Sequence, residues 1–506
     1  MALAGIDVGT SGCKVAVFRE DGRLLANSSR EYPFIAPRPG WLELDARAVW
    51  EAIKQALSEA VALSPEPVTV CGVASHGETL VPVDATGEPI ANAIANFDVR
   101  AESYTSFWRE RIDPLKSFQI SGMPLHGMYT VNKLMWLRDN RPTLYDRARK
   151  FTCMEDYVIF RLNGCEPVID YSLAARTMLF DVTEKRWAPE LLTLAGIDRE
   201  KLSRVVPSGE AAGTVCPAVA DEVGLSRRVL IATGGHDQAC GVLGCGGRLP
   251  GEAMYGVGTS ECMAINLGRE PILTREMMEA SFCCYPHTET DSYITLTYIA
   301  SGGSVLRWFR DEFGHEERRQ AQEQGKDPYE FLIAGASARP ASIFVLPHFA
   351  GSGTPYLDER SRGAIIGLTV GSGKGEITRA ILESLTYEMK VNLDLFEEFG
   401  IPIGNLRVIG GGSRSPLWLQ IKADILEKPL LTLSTGEAVA LGTAMLAGKA
   451  GGVFKDLAQA REAMVAFRER VDPREEYREA YRERFRIYRK LYGALREINR
   501  EISTLL

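Results

Sequence analysis

Two stretches of the chain carry the same four residues in the same setting. Residues 3–18 read LAGIDVGTSGCKVAVF and residues 252–267 read EAMYGVGTSECMAINL, so Val-Gly-Thr-Ser stands twice between short runs suited to β-strands. Each reads as strand, tight turn, strand. Gly-Thr-Ser suits turns generally, and the echo gains a second meaning if each turn is offered to one shared ligand. Gly9 and Gly258 would then let the backbone come close to it, with turn dihedrals closed to other residues. Consecutive amides form an anion-binding nest, and the hydroxyls of Thr10, Ser11 and Thr259 add donors for phosphate oxygens. Lys14, just past the first turn, could meet a terminal phosphate as a point charge. Asp7 stands immediately before that turn, where a polyphosphate would repel it unless a cation lay between. Mg²⁺ suits the gap, since one or two carboxylates plus phosphates usually hold it. The alternative for Asp7 is a carboxylate capping its own turn; the second hairpin favours the metal.

Residues 233–247, TGGHDQACGVLGCGG, bracket Asp237 and Gln238 with glycines and then turn apolar. The pattern predicts a strand end, a loop and a helix bearing Asp237 near its N-terminus. Transfer of a phosphoryl group to an alcohol needs a carboxylate that accepts the hydroxyl proton during in-line attack. Asp237 suits that role, although an Asp at a helix start is more commonly an ordinary N-cap. Residues 74–79, ASHGET, and 96–100, NFDVR, follow short apolar runs, on loops after strands where α/β folds keep their ligands. His76, Glu78 and Asp98 there can hydrogen-bond hydroxyls, and each taken singly is an ordinary loop residue. There is no GxxxxGK[ST] motif; residues 371–375, GSGKG, lack its spacing and read as a surface turn.

The elements that would position these residues alternate. Strand-like runs fall at Val68–Ala74, Val229–Ala232, Tyr293–Ile299, Ile343–Leu346 and Leu406–Ile409, and helical periodicity at Ala46–Ala62, Leu134–Asp139, Gly375–Phe399 and Leu417–Leu426. That alternation is α/β. A chain of 506 residues exceeds one ordinary core. Gly246–Gly251 is the best lobe boundary, giving lobes over 1–247 and 248–506. From Glu475 to Leu495 a charged helix is expected, with Tyr477, Tyr481, Phe485, Tyr488, Tyr492 and Leu495 as one stripe that packs on its own domain.

Net charge of −8 argues against general affinity for nucleic acid or anionic membrane. Ten scattered cysteines without a CxxC pair suggest a reducing cytoplasm. No basic leader precedes Leu3–Ile6 and no apolar run reaches the length of a membrane span, so a soluble, cytoplasmic protein is expected.

With these residues in view, the chain resembles the FGGY family of carbohydrate kinases over nearly its whole length. Met128–Asn140, MYTVNKLMWLRDN, with Lys133 and Trp136, and Gly363–Glu383, GAIIGLTVGSGKGEITRAILE, match its two long signatures. DVGTSGCK matches its first phosphate hairpin and GGHD the region of its catalytic aspartate. The resemblance implies the actin, Hsp70 and hexokinase (ribonuclease H-like) fold, two lobes that hold ATP and close on the substrate. It implies Asp237 as catalytic base and Asp7 as the aspartate that orients Mg²⁺ through water. Thr10, Ser11, Lys14, Gly258 and Thr259 would face ATP phosphates, and Gly302 in SGGS would lie near the nucleotide. Gly411, Gly412 and Ser415 in GGGSRS would contact adenosine, and Gly436–Ala444 would start the following helix in the same lobe.

The substrate loops depart from the best-known members. Xylulokinases usually carry Gln-Met-His-Gly where this chain has Ala74, Ser75, His76 and Gly77. Their Trp-Asn-Asp-Gly-Arg becomes Asn96, Phe97, Asp98, Val99 and Arg100. Glu78 resembles the glutamate that binds a hydroxyl in glycerol kinases, where an arginine stands in place of Gly77. The expected contacts are therefore His76, Gly77, Glu78, Asp98, Arg100 and Gln238. The expected substrate is a ketose such as a pentulose, or a polyol, of three to six carbons. The alternatives are a glycerol- or tetritol-type polyol kinase, a sugar-binding regulator without catalysis, or an ATP-driven conformational protein of the same fold. A monomer or homodimer is expected.

Overall fold

The computed structural model describes residues 1–289 and 291–505. Its first half is organised around a six-stranded sheet. β1 (Ala2–Val8), β2 (Gly12–Arg19) and β3 (Leu24–Glu31) form an antiparallel meander. α1 (Ala46–Leu63) follows, started by the Asp45 carboxylate on the amides of Arg47 and Ala48. β4 (Val68–Ser75) returns parallel to β1. After α2 (Thr130–Asn140) and α3 (Tyr171–Ala175), β5 (Ala211–Thr214) and β6 (Leu230–His236) complete the sheet in the order β5-β6-β4-β1-β2-β3. α4 (Asp237–Gly244) leaves β6 with no intervening loop, where the sequence had suggested one.

The second half repeats the plan. β7 (Ala253–Val257), β8 (Glu261–Gly268), β9 (Tyr285–Pro286) and β10 (Tyr293–Ile299) form its antiparallel portion. α5 (Gly303–Phe313) and the long α6 (Lys374–Glu398) precede β11 (Leu406–Ile409), and α7 (Pro416–Leu426) precedes β12 (Leu430–Leu433). α8 (Ala438–Ala450) then leads to the edge strand β13 (Phe467–Val471). The order is β9-β10-β8-β7-β11-β12-β13, with β11 parallel to β7, β12 parallel to β11 and β13 antiparallel. Three antiparallel strands, two parallel neighbours and an antiparallel edge thus occur in both sheets, the second adding β9 at its far edge, and the two Val-Gly-Thr-Ser turns sit at equivalent places.

The hairpin glycines differ from expectation in one respect. Neither Gly9 nor Gly258 has a left-handed backbone. Gly9 is held by close approach: a Cβ there would lie 3.0 Å from the Gly12 carbonyl oxygen. At Gly258 the nearest such atom is 3.5 Å away, an ordinary contact.

β1 alternates strictly. Ala2, Ala4, Ile6 and Val8 join the core that α1 covers, while Leu3 joins the core under α8. Two-residue periodicity therefore puts Gly5 and Asp7 on the α8 side. Although α8 leaves the second sheet, it lies on the first, which corrects the expectation that it stays within its own lobe. Small residues permit this. A Cβ on Gly5 would sit 2.0 Å from the Ala440 carbonyl oxygen, and one on Gly72 2.7 Å from that of Thr443. Where α4 and α8 cross, a Cβ on Gly244 would lie 1.8 Å from the Ala438 carbonyl oxygen, and one on Gly442 2.0 Å from that of Cys240.

The C-terminal stripe is two helices rather than one, α9 (Glu475–Tyr488) and α10 (Leu491–Ser503). As expected, it packs on its own half. Tyr481, Phe485 and Tyr488 are buried around Tyr387 of α6, and Tyr481 shares a buried network with Arg379 and Glu383. Residues 371–375 form the expected turn before α6, with Val370 beside it fully exposed. No helix among the described residues is long and apolar enough to cross a membrane.

The crossing yields a stability prediction. Gly442→Ala should force α4 and α8 apart and cost about 2–3 kcal/mol, read as a lowered Tm in a thermal unfolding scan. An unchanged Tm would mean the crossing is looser than these contacts require.

Candidate active site

The turn after β1 is open to solvent on one side: Ser11 is exposed, and Thr10 and Lys14 are half-buried. Tyr32 holds it from behind, its hydroxyl donating to the Gly9 carbonyl at 2.6 Å. Gly258, Thr259 and Ser260 of the second turn are all exposed. Backing this turn is the start of α5, where the amides of Gly302 and Ser304 donate to the Thr259 carbonyl at 3.0 and 3.1 Å and that of Gly303 to Gly258 at 2.8 Å. Gly302 thus supports the turn, and a Cβ on it would strike Ser260 at 2.7 Å. The exposed Arg307 places Nη2 3.4 Å from Thr259 Oγ1, a cation the sequence reading missed.

Gly410–Gly412 lie against the end of β7. A Cβ on Gly412 would meet Val257 Cγ1 at 2.2 Å, and Gly410 combines a φ of +89° with a 2.6 Å approach to the Val257 carbonyl oxygen. Gly411 is exposed, and Ser415 caps α7 through the Trp418 amide. Behind the turn, Lys422 of α7 binds both oxygens of Glu261, at 3.0 and 2.8 Å, and the Tyr255 hydroxyl at 2.7 Å. All three are buried, so α7 and the β7–β8 hairpin are joined by a paired charge.

Asp7 lies within reach of the Asp237 charge. Burial pushes the Asp7 carboxyl up to about 7, with Asp237 and Glu437 adding to the rise and Lys14 opposing it. Burial likewise pushes Asp237 up to about 6, against the Gln238 amide, which donates to its Oδ1 at 2.6 Å. Asp237 remains about one-fifth exposed. Two carboxylates with raised proton affinity, one of them raised partly by the charge of the other, form a donor set suited to a divalent cation, and the exposed hydroxyls and amides of both turns suit a polyphosphate. The residues fit ATP and Mg²⁺. Lys14 pairs with Glu437, just before α8, at 2.7 Å.

The backbone that presents Asp237 is tightly held. Gly235 has a φ of +146°, and a Cβ there would meet Ser172 Oγ at 2.7 Å and Asp170 Oδ2 at 2.9 Å. The His236 amide donates to Ser172 Oγ, which itself donates to Asp170. Glu155 accepts from the amides of Asp170 and Gly234. Desolvation holds His236 well below the usual imidazole range, and its Nε2 lies 3.3 Å from Asp237 Oδ1. Glu155, Asp170 and Ser172 lie dispersed in sequence without a motif, and nothing local marks them.

Of the expected substrate residues, Gln238 binds Asp237 through its amide, Glu78 is near enough for its charge to raise the Asp237 carboxyl and Gly77 approaches the neighbouring His236, whereas three others are engaged in structure. His76 uses both ring nitrogens, on the Val8 carbonyl at 3.0 Å and Thr79 Oγ1 at 2.7 Å. Asp98 accepts from the Leu42 amide and from Arg100. Arg100 lies over Trp41 at 4.0 Å and Trp136 at 5.1 Å and also binds Glu43. Lys133 ties the two loops together: its buried ammonium donates to the Glu78 carbonyl at 2.8 Å and lies 3.4 Å from that of Asn96. Gln238 leaves Oε1 buried without a partner. The buried Arg176, an arginine inside the apolar run LAARTMLF, pairs with Glu78 and was missed.

The Glu261–Lys422 pair makes a testable demand. Lys422→Met alone strands a buried carboxylate and should destabilise by about 3–5 kcal/mol. The double variant Glu261→Gln/Lys422→Met should recover most of that in the same thermal scan; equal losses would show the pair is not coupled.

Comparison with known proteins agrees with this geometry. Residues 2–244 match the N-terminal domain of the FGGY family of carbohydrate kinases and residues 253–451 its C-terminal domain. A glycerol kinase of Symbiobacterium thermophilum is 31% identical over 90% of this chain and 91% of its own length. A xylulose kinase of Bacillus subtilis is 28% identical over 92% and 91%. The crystal structure of a gluconate kinase from Lactobacillus acidophilus superposes with a TM-score of 0.88 over 98% of both chains at 23% identity, a likeness of fold. Two matched sheets and a chain-long likeness lead to one conclusion: the protein belongs to the FGGY family of carbohydrate kinases, with their two-domain actin-like fold and ATP-dependent phosphorylation of a sugar or polyol.

Proposed function

We propose that the chain transfers the γ-phosphoryl group of ATP to a hydroxyl of a small ketose, such as a pentulose, or of a polyol, with Asp237 as general base. The observation that carries this reading is the Asp237 carboxylate. It is partly exposed at the start of α4, beside Asp7, with its proton affinity raised to about 6. A carboxylate so tuned is ionised at neutral pH yet basic enough to take a proton during attack. The substrate hydroxyl donates its hydrogen bond to Asp237. As the oxygen bonds to the γ-phosphorus and the bond to the ADP oxygen breaks, the proton passes to the carboxylate and later to solvent.

In this proposal residues 1–247 and 248–506 are the two lobes. Thr10, Ser11, Gly258 and Thr259 donate to phosphate oxygens, and Lys14 exchanges Glu437 for a phosphate. Gly411, Gly412 and Ser415 border the adenosine, with Gly302 behind the second turn. Asp7 would hold Mg²⁺, which when bound neutralises charge on the phosphates. Glu78, Gly77 and Gln238 contact the acceptor, while His76, Asp98 and Arg100 hold the loops that carry it.

ADP release should be measured with C3–C6 ketoses and polyols. Asp237→Asn should lower kcat at least about 10³-fold, and robust turnover in that variant would remove the base. For the native protein the acidic limb of kcat/KM should fall as pH drops through about 6, since protonated Asp237 cannot accept a proton. A pH-independent rate between 5 and 8 would contradict the assignment.

Asp237→Asn should also raise stability. A carboxyl that binds its proton more tightly folded than unfolded costs stability as pH rises from about 4 to about 6, and the cost persists above. The variant should gain about 1–3 kcal/mol at pH 8 and nothing near pH 4. Tm measured at both pH values tests this sign.

A further inference from the structure

A cavity of about 350 Å³ opens on the far side of the loop that carries Asp98, at the lower end of the size range of small-molecule sites. Residues 96–99 of that loop line a different cavity, which they share with the second half of the chain. Arg100 alone of the loop reaches this one, and Asp7, Asp237 and both phosphate turns are absent from its wall.

Two indoles form part of the wall. Trp41 meets Trp136 of α2 edge to face, with ring centroids 5.3 Å apart at 85°, and both residues are partly exposed. Arg100 stands over both rings, its Cζ 4.0 and 5.1 Å from the two centroids. Its side chain is only 4% exposed. It is fixed by Asp98, through Nε and Nη2, and by Glu43, through Nη2 at 2.9 Å. Ile90 and Leu137 add apolar surface to the same cavity.

The polar groups in this wall are not used up. Glu43 Oε2 accepts from the Asn92 side-chain amide at 3.0 Å, and a carboxylate oxygen has room for a second donor. Among the described residues, Asn92 Oδ1, Arg100 Nη1 and the N–H groups of Trp41 and Trp136 have no protein partner, and none of these atoms is sealed from solvent. Charge narrows what could use them. Glu43 and Arg100 neutralise one another, and Asp98 holds the same guanidinium from the loop side. The remaining cation of the wall, Arg141, is exposed, where water screens its charge. An ion would therefore lose hydration without gaining an unbalanced partner in the inner wall.

A ligand that offers hydroxyl donors and acceptors together with an apolar face suits these groups. The ring form of a sugar has both, since its C–H hydrogens can lie against the negative face of an indole while its hydroxyls pair with carboxylate, amide and indole N–H. We propose that this cavity is a second carbohydrate site, outside the cleft, for an uncharged monosaccharide in ring form. Glu43 and Asn92 bind neighbouring hydroxyls, and Trp41 and Trp136 contact the ring.

The test is binding to the full-length protein without nucleotide, followed by saturation-transfer NMR and calorimetric titration. The probes are D-glucose, D-galactose and D-xylose, with D-glucitol as the open-chain control and glucose 6-phosphate as the charged one. At least one of the three sugars should bind saturably. Ala91→Trp, which fills the cavity from its wall without touching Arg100, should weaken that binding at least about tenfold. Asn92→Leu should weaken it by a similar factor and serves if the tryptophan variant does not fold. D-glucitol should bind at least about tenfold more weakly than the best sugar, and the phosphate ester no more tightly than glucose. Binding unchanged in both variants would place the sugar elsewhere and overturn the inference. So would an alditol equal to the best sugar, a phosphate ester that binds more tightly than glucose, or no saturable binding of any of the three sugars up to about 100 mM. None of these measurements uses ATP, so a failure here leaves the kinase reading untouched.

Discussion

The close crossing of α4 and α8 is the constraint on which the rest of the site depends. Glycine at 244 and 442 lets each helix reach the other's backbone carbonyls, and Gly5 and Gly72 let α8 settle on the first sheet. At the crossing the end of α4 meets the start of α8, Gly244 against Ala438 and Cys240 against Gly442, while Gly5 against Ala440 sets the start of α8, preceded by Glu437, beside β1. β1 contributes Asp7 on the same face through its two-residue alternation. The charges of Asp237, Glu437 and Lys14 all reach the Asp7 carboxyl, and burial raises the proton affinity of both aspartates, with Asp237 adding at Asp7 and Glu78 adding at Asp237.

That collection is costly before any ligand arrives, which is common where strain and function coincide. Several buried charges elsewhere are paired, while the buried carboxylates of Glu155 and Asp170 are held by backbone amides and serine hydroxyls. Lys422 meets Glu261, Arg379 meets Glu383 and Arg176 meets Glu78, while Lys133 is satisfied by backbone carbonyls. Asp7 and Asp237 are neighbours of like sign, with Lys14 balanced by Glu437. The contrast separates charge pairs that stabilise the scaffold from carboxylates gathered without a cation on them.

The two turns show how one backbone plan supports different second contacts. The first is braced by a tyrosine hydroxyl, the second by the start of α5 and by a buried lysine reaching from α7. Both leave hydroxyls and amides open on one side. Symmetry of topology therefore does not extend to the braces, which differ because each half packs its turn against a different neighbour.

Much of this was readable from local sequence. The repeated Val-Gly-Thr-Ser marked both hairpins, periodicity located α1, α6 and α7 to within a residue or two, and the GGHD stretch pointed to Asp237. The reason is physical: turns, strand alternation and helix stripes are set by residues close together in the chain. Tertiary structure alone decided that α8 crosses to the other sheet, that His76, Asp98 and Arg100 are engaged in loop contacts, and that Arg176 joins Glu78 from 98 residues away. Those facts depend on which distant groups share a buried space, and the one local trace of Arg176 was a lone arginine in an apolar run. A charge buried without nearby partners in sequence must find one across the fold, and only the packed molecule shows where.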